Sequence, residues 1–100
     1  MRLQSTNEQF CIMPESEFYK TKRFKGSHMH HVFGGSNRHK SEVYGLVIYL
    51  TPEMHNMSDR GIHFNREFDL TVKQIAQKTA MEQYRWSMTE WIGIFGRNYL

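Results

Sequence analysis

A continuous apolar run from Gly45 to Leu50 constrains the fold of this chain more than any other feature of its sequence. The run has the length of a β-strand, and the Thr51-Pro52 pair that follows it indicates where the strand ends. At 100 residues the chain is too short for a second independent core, because it buries only about 60 to 68% of its unfolded surface. The strand and every other element therefore belong to one domain, residues 1–100.

The segments on either side of this run predict a hairpin followed by a helix. Residues 27–33 have the composition of a first strand, which the turn formers at 34–37 stop. Thr51 is a hydroxyl N-cap, and the proline after it suits the first position of a helix, so a short helix is expected to begin there and to end at Gly61. We therefore expect a hairpin-plus-helix core over about 27–64.

The last third of the chain predicts helices. Asn65 is suited to cap a longer helix in which apolar residues recur at spacings near three and four. Ser87 followed by Glu90 is a capping-box pattern, which predicts a last short helix. The expected fold class is α+β, with additional C-terminal helices over 65–100.

The histidines are clustered rather than scattered. All six lie within 36 residues of one another, and they are His28, His30, His31, His39, His55 and His63. Cys11 is the single cysteine, so the chain can form neither an internal disulfide nor a four-thiolate zinc site. A reducing compartment is the simplest interpretation. With no long apolar span and no signal-peptide pattern, we expect a soluble, intracellular protein that does not contact a membrane.

The positive charge lies in the first half of the chain. Residues 51–100 carry six basic and six acidic residues, so the formal net charge of +3 belongs entirely to residues 1–50. The segment between Glu17 and Glu42 contains basic residues and no acid; they are Lys20, Lys22, Arg23, Lys25, Arg38 and Lys40. A solvated basic loop would account for this pattern, but beside clustered histidines it favours a face that binds a polyanion.

The most informative residues are His30 and His31 at the end of the first strand, together with His55. Adjacent strand residues point to opposite sides, so His30 and His31 can divide two tasks, one holding a cation and the other activating a water. His55 lies four residues beyond Thr51 on the short helix, and its ring can return over the hairpin. The spacing therefore predicts a strand-loop-strand-helix clamp.

These residues resemble the HNH endonucleases of the ββα-metal (His-Me finger) superfamily over about 28–63. The resemblance is carried by His30-His31-Val32-Phe33-Gly34-Gly35, Arg38, Ser41-Glu42, Tyr44-Gly45-Leu46, His55-Asn56-Met57-Ser58 and Gly61-Ile62-His63-Phe64-Asn65. The pattern is similar to small phage and prophage HNH proteins, and to the phage recombination-enhancement nucleases that work with RecA. It implies a ββα-metal core and hydrolysis of DNA phosphodiester bonds.

The resemblance also implies roles for individual residues. His30 and His55 correspond to metal ligands, His63 is the candidate third ligand, and His31 corresponds to the general base. Imidazole suits that task because its ordinary pKa lies near neutral pH. The implied cofactor is one divalent ion, namely Mg, Mn, Ni or Zn, and imidazole ligands favour the borderline metals over Mg.

The sequence departs from the family pattern at two places. The middle Asn of the family has no match, and Asn37 or Asn56 is the candidate to orient the loop instead. Relatives carry Cys-x-x-Cys pairs that hold a structural zinc, whereas this chain has Cys11 with Pro14 at the first pair and no cysteine at the second. We expect no structural zinc.

Several basic residues are candidates to contact DNA. Arg38 follows the loop that leaves His31 and could reach a scissile phosphate with its planar guanidinium, so it is assigned to the catalytic set as well. The remaining candidates are Lys40, Lys25, Arg23 and Arg60. His28 shares strand parity with His30 and could be a ligand, although surface exposure is the favoured interpretation. For His39, phosphate contact or plain exposure is favoured over ligation.

The leading prediction is a metal-dependent DNA endonuclease or nickase of low sequence specificity, in the cytoplasm of a cell that hosts a phage or prophage. DNA is the expected partner, with a recombinase or another phage protein as a further one. The alternative is a catalytically degenerate HNH-like phage factor that binds DNA or protein, for example against a host defence system. A third interpretation is a structural zinc protein that uses the same histidines. Fold alone does not decide among the three.

Overall fold

The computed structural model describes residues 11–14, 21–57 and 65–100, and these form a mixed α and β structure. Two short strands, β1 (His28–His31) and β2 (Val47–Leu50), pair antiparallel. The other elements are a 3-10 turn (Gly35–Asn37), α1 (Arg38–Val43), a π-helical turn (Glu53–Met57), α2 (Arg66–Tyr84) and α3 (Met88–Phe95). The expected α+β class is confirmed.

The hairpin is confirmed, although its strands are shorter than predicted. Four consecutive pairs define its register, and they are His28 with Leu50, Met29 with Tyr49, His30 with Ile48, and His31 with Val47. Directly opposed residues share a face of an antiparallel pair. His28 and His30 therefore lie on the face of Leu50 and Ile48, while His31 lies on the opposite face.

Helix α1 lies between the two strands, where the sequence predicted only a loop. Six residues are too few to form a stable helix alone, so contacts with the rest of the fold must hold it. The buried Ser41 supplies them: its hydroxyl donates to the Leu46 carbonyl and accepts from the Phe33 amide. Gly45, with a φ of +76°, then turns the chain from α1 into β2.

The predicted helix caps are confirmed. The Asn65 side chain accepts from the Phe68 amide at the start of α2, and Ser87 and Glu90 form a complete capping box at the start of α3. The Thr51 hydroxyl accepts from the Met54 amide, and this hydrogen bond caps the start of the π-helical turn. The predicted end of that helix at Gly61 lies outside the described residues.

One hydrophobic core joins the hairpin to the helices. Its buried members are Met13, Val32, Phe33, Leu46, Ile48, Leu50, Val72, Ala76, Ala80, Trp91 and Phe95. Phe33 lies at the centre of an aromatic group, with ring centroids 5.4 Å from Trp91 and 4.9 Å from Phe95. The loop that follows β1 is therefore fixed against α3. In the described parts of the chain, no helix combines the length and the apolar character needed to span a bilayer.

Candidate metal centre and basic surface

Three histidine rings meet where the hairpin joins the π-helical turn. His28 and His30 share one face of β1, and the backbone amide of His55 donates to the Thr51 carbonyl, which folds His55 back toward that face. The ring centroid of His55 lies 5.3 Å from that of His28 and 5.3 Å from that of His30. His55 thus lies over the hairpin, as its spacing from Thr51 predicts.

The nitrogens of this histidine cluster (His28, His30 and His55) fit a divalent metal in part. The Nδ1 atoms of His28 and His55 are 3.2 Å apart, close to the separation of about 3.3 Å for two nitrogen ligands of one tetrahedral zinc ion. His30 is only 6% exposed, so its ring is largely removed from bulk water. Within 11–14, 21–57 and 65–100, no three His, Cys, Asp or Glu side chains stand together as a ready ligand set.

His28 is less exposed than its position in the sequence suggested, and its ring contacts that of His55. Exposure on the surface was the favoured interpretation, yet the side chain is half-buried and its Nδ1 contacts that of His55. The signal that could have identified it is its strand parity with His30, because residues two apart on a strand share a face. His63, the predicted third ligand, lies outside the described residues.

His31 does not join this cluster. The regular pairing of β1 directs its side chain to the opposite face of the hairpin, beside Val47. There its Nε2 lies 3.0 Å from Oε1 of Glu42, a residue of α1. Sequence reasoning gave Glu42 no role, because the helix that brings its carboxylate to His31 was not predicted.

Two predicted polar residues bind the carboxyl end of α3 instead of pointing freely to solvent. The Lys40 ammonium donates to the Ile94 carbonyl at 2.6 Å, and the Asn37 amide donates to the Phe95 carbonyl at 2.9 Å. A cation and an amide donor at a helix C-terminus satisfy carbonyls that have no partner within the helix. Lys40 is thereby less available for a phosphate, whereas Asn37 ties the loop after β1 to the core.

The other candidates for DNA contact are spread over residues 23–60. Arg38 begins α1 and is exposed, as are Arg23, Lys25 and the neighbouring His39. Arg60 and the side chain of Asn56 lie outside the described part of the chain. Of the exposed candidates, Arg38 thus lies between β1 and β2, whereas Arg23 and Lys25 precede β1.

Cys11 lies beside the hairpin, against strand β2. Its thiol donates to the Val47 carbonyl at 2.6 Å, and the neighbouring Ile12 amide donates to the Gly45 carbonyl. Burial raises the pKa of the Cys11 thiol above its ordinary value, although two backbone hydrogen bonds oppose the shift. The thiol is therefore held in its protonated form at neutral pH, which is the form that binds metals poorly.

The structure thus brings His28, His30 and His55 together, pairs His31 with Glu42, and anchors Asn37 and Lys40 on α3. No family model matches the chain, and neither a curated protein nor a solved structure matches it.

Proposed function

We propose that the protein is a divalent-metal-dependent endonuclease or nickase that hydrolyses DNA phosphodiester bonds with low sequence specificity, on a core of the ββα-metal type. The observation that carries the proposal is the meeting of three histidine rings where an antiparallel hairpin joins the turn that follows it. Imidazole nitrogens are donors that borderline divalent metals prefer, so rings grouped at the junction of a strand and the following turn favour such an ion.

In this proposal, His28, His30 and His55 hold the metal, with His63 as a further candidate. A bound divalent ion would stabilise the negative charge that develops on the phosphate and on the leaving oxygen. Three imidazoles leave room for oxygen ligands, which is the arrangement of catalytic rather than structural metal sites. The burial of His30 limits competition from bulk water at the site.

His31 is the proposed general base. It accepts the proton of the attacking water as the water oxygen bonds to phosphorus and the opposite P–O bond breaks. His30 and His31 are neighbours whose Cα atoms are about 3.8 Å apart, so both lie at the same end of β1. No described strand pairs with the outer edge of β1, and a phosphate at that edge can approach both faces of the hairpin. Arg38 is the proposed phosphate-binding cation.

The alternative function is a binding factor that retains the hairpin without turnover. The observation that favours it is the regular register of β1, which leaves the His31 ring on the face opposite the histidine cluster and paired with Glu42. A base that cannot reach a water near the metal would leave a protein that binds DNA and cleaves none. Metal-dependent nicking separates the two functions directly.

The test is the nicking of supercoiled plasmid DNA by the full chain with Mn²⁺, Ni²⁺ or Mg²⁺. We expect the wild-type protein to nick the plasmid, His31→Ala to bind metal without nicking, and His39→Ala to nick normally. His39 is an exposed histidine of α1 and provides the matched control. Nicking at the wild-type rate by His31→Ala would exclude His31 as the base. Unfolding by chelator without any cleavage would instead support a structural zinc protein.

A further inference from the structure

We infer that Glu42 is a positioning residue for His31, which it orients and keeps in a single tautomer. The inference rests on the proposed function, in which His31 is the general base. It concerns a residue that takes no part in metal binding and touches neither substrate nor water in the reaction. The observations that support it are the contact between the Glu42 and His31 side chains and the hydrogen bonds that hold α1, the helix that carries Glu42.

The contact between the two side chains fixes the roles of their atoms. Nε2 of His31 lies 3.0 Å from Oε1 of Glu42, and the two side chains are 12% and 23% exposed. An ionised carboxylate can only accept a hydrogen bond, so Nε2 of His31 carries the proton and donates it. In the neutral ring, Nδ1 then holds the lone pair. Glu42 thereby selects the nitrogen that is able to take a proton from water.

The carboxyl-terminal end of α1 is held by the segment that leads into β2. The Leu46 amide donates to the Ser41 carbonyl at 2.8 Å, and the Gly45 amide donates to the Glu42 carbonyl at 3.2 Å. Ser41 is fully buried, and its hydroxyl bonds both Phe33 and Leu46. The backbone that carries the Glu42 side chain is therefore tied to residues on both sides of the hairpin connection.

The other end of α1 is held by α3. Lys40 donates to the Ile94 carbonyl, and Asn37, immediately before α1, donates to the Phe95 carbonyl. These carbonyls lie in the last turn of α3, which Trp91 and Phe95 anchor in the core. A carboxylate supplied from a helix anchored at both ends restricts the ring it binds more than one on a mobile loop would.

A partner of this kind affects the reaction more than the fold. A partly exposed ion pair contributes little to stability, so the loss of Glu42 should leave unfolding almost unchanged. Partners that orient a functional imidazole typically change activity or metal affinity by about 10 to 100-fold. The expected signature is a slower reaction in a protein that folds and binds DNA normally.

The experiment compares Glu42→Ala, Glu42→Gln and Glu82→Ala in the full chain. Glu82 is an exposed carboxylate of α2 and serves as the matched control. Long-range ¹H–¹⁵N spectra of ¹⁵N-histidine protein report which ring nitrogen of His31 carries the proton. We expect the Nε2–H form in the wild type and in Glu42→Gln, whose amide oxygen can still accept, and a mixture of tautomers in Glu42→Ala.

Plasmid nicking with Mn²⁺ provides the second readout. Glu42→Ala should lower kcat by about 10 to 100-fold with KM unchanged, and Glu42→Gln should recover most of that loss. An unchanged tautomer and an unchanged kcat in Glu42→Ala would overturn the positioning role while leaving the nuclease intact. A wild-type protein that cleaves no DNA would overturn the proposed function itself, and Glu42 would then have no reaction to serve.

Discussion

The two faces of the hairpin use the same residue type in different ways. On one face, His28 and His30 each contact the ring of His55. On the other face, His31 meets the carboxylate of Glu42. Imidazoles grouped together can share one metal ion, whereas a carboxylate beside a single imidazole can orient that ring for proton transfer. The neighbour of each ring, rather than the histidine itself, distinguishes the two faces.

The largest expected effect comes from removing a ring of the histidine cluster. His55→Ala should weaken Mn²⁺ or Ni²⁺ binding by more than about 100-fold, since it removes a ligand rather than an outer partner. His31→Ala should leave the affinity within a few-fold of the wild type, because its ring lies on the opposite face. Titration calorimetry measures both. Equal losses in the two variants would remove the distinction between the faces.

The contact of Glu42 with His31 depends on how α1 is held in place, and a substitution of Ser41 tests this. Ser41→Ala should lower the free energy of unfolding by about 1 to 3 kcal/mol, because the buried Phe33 amide loses its partner and the Leu46 carbonyl loses one of its two donors, keeping the Val32 amide. The exposed Ser36, in the turn just before α1, provides the control, and Ser36→Ala should change stability little. Urea unfolding measures the difference, and equal values would mean that α1 is held by other contacts.

Substitutions of Lys40 and Lys25 should distinguish a lysine that stabilises the fold from a lysine that binds DNA. Lys40→Met is expected to cost about 0.5 to 1.5 kcal/mol of stability, because the Ile94 carbonyl loses its donor. Lys25 is exposed, and Lys25→Met should weaken DNA binding and reduce the salt slope of log K by about 0.9. Binding measured at several salt concentrations checks this assignment. It fails if Lys40→Met lowers the salt slope while stability stays constant.

The smallest expected effect is a loss of stability at alkaline pH that does not involve the histidines. Burial raises the pKa of Cys11 and of Tyr84 above their ordinary values of 9.0 and 10.0, and Tyr44 adds to the shift of Tyr84. Folding then favours the protonated groups. Their contribution to the free energy of unfolding is fully present below the unfolded-state pKa values, and it is lost as pH rises above about 9. The midpoint of urea unfolding should change less between pH 8 and pH 10 in Cys11→Ala and in Tyr84→Phe than in the wild type. The same change in all three proteins would contradict this origin of the pH dependence.

The elements that could be predicted from sequence are those whose signals are local. The caps at Asn65 and at Ser87 with Glu90 join residues three positions apart, so they can be recognised in the sequence without knowledge of the fold. The apolar run before Thr51 predicted β2 for the same reason. The hairpin was predicted from composition and turns, but its register came only from the structure.

The elements that could not be predicted depend on distant contacts. Helix α1 is held by Ser41, Lys40 and Asn37 through partners up to 58 residues away, and no local pattern encodes such bonds. Glu42 acquired its role only because α1 exists. The contact of His28 with His55 spans 27 residues, and strand parity indicated the correct face without indicating the partner.

The central claim is that the histidine cluster holds a divalent metal. The most direct test is a crystal structure of the full chain with Mn²⁺, in which anomalous density identifies the metal. We expect a peak within bonding distance of His55 and of His28 or His30, with His31 still paired to Glu42. A cluster without a peak, at Mn²⁺ concentrations that support plasmid nicking, would contradict the claim.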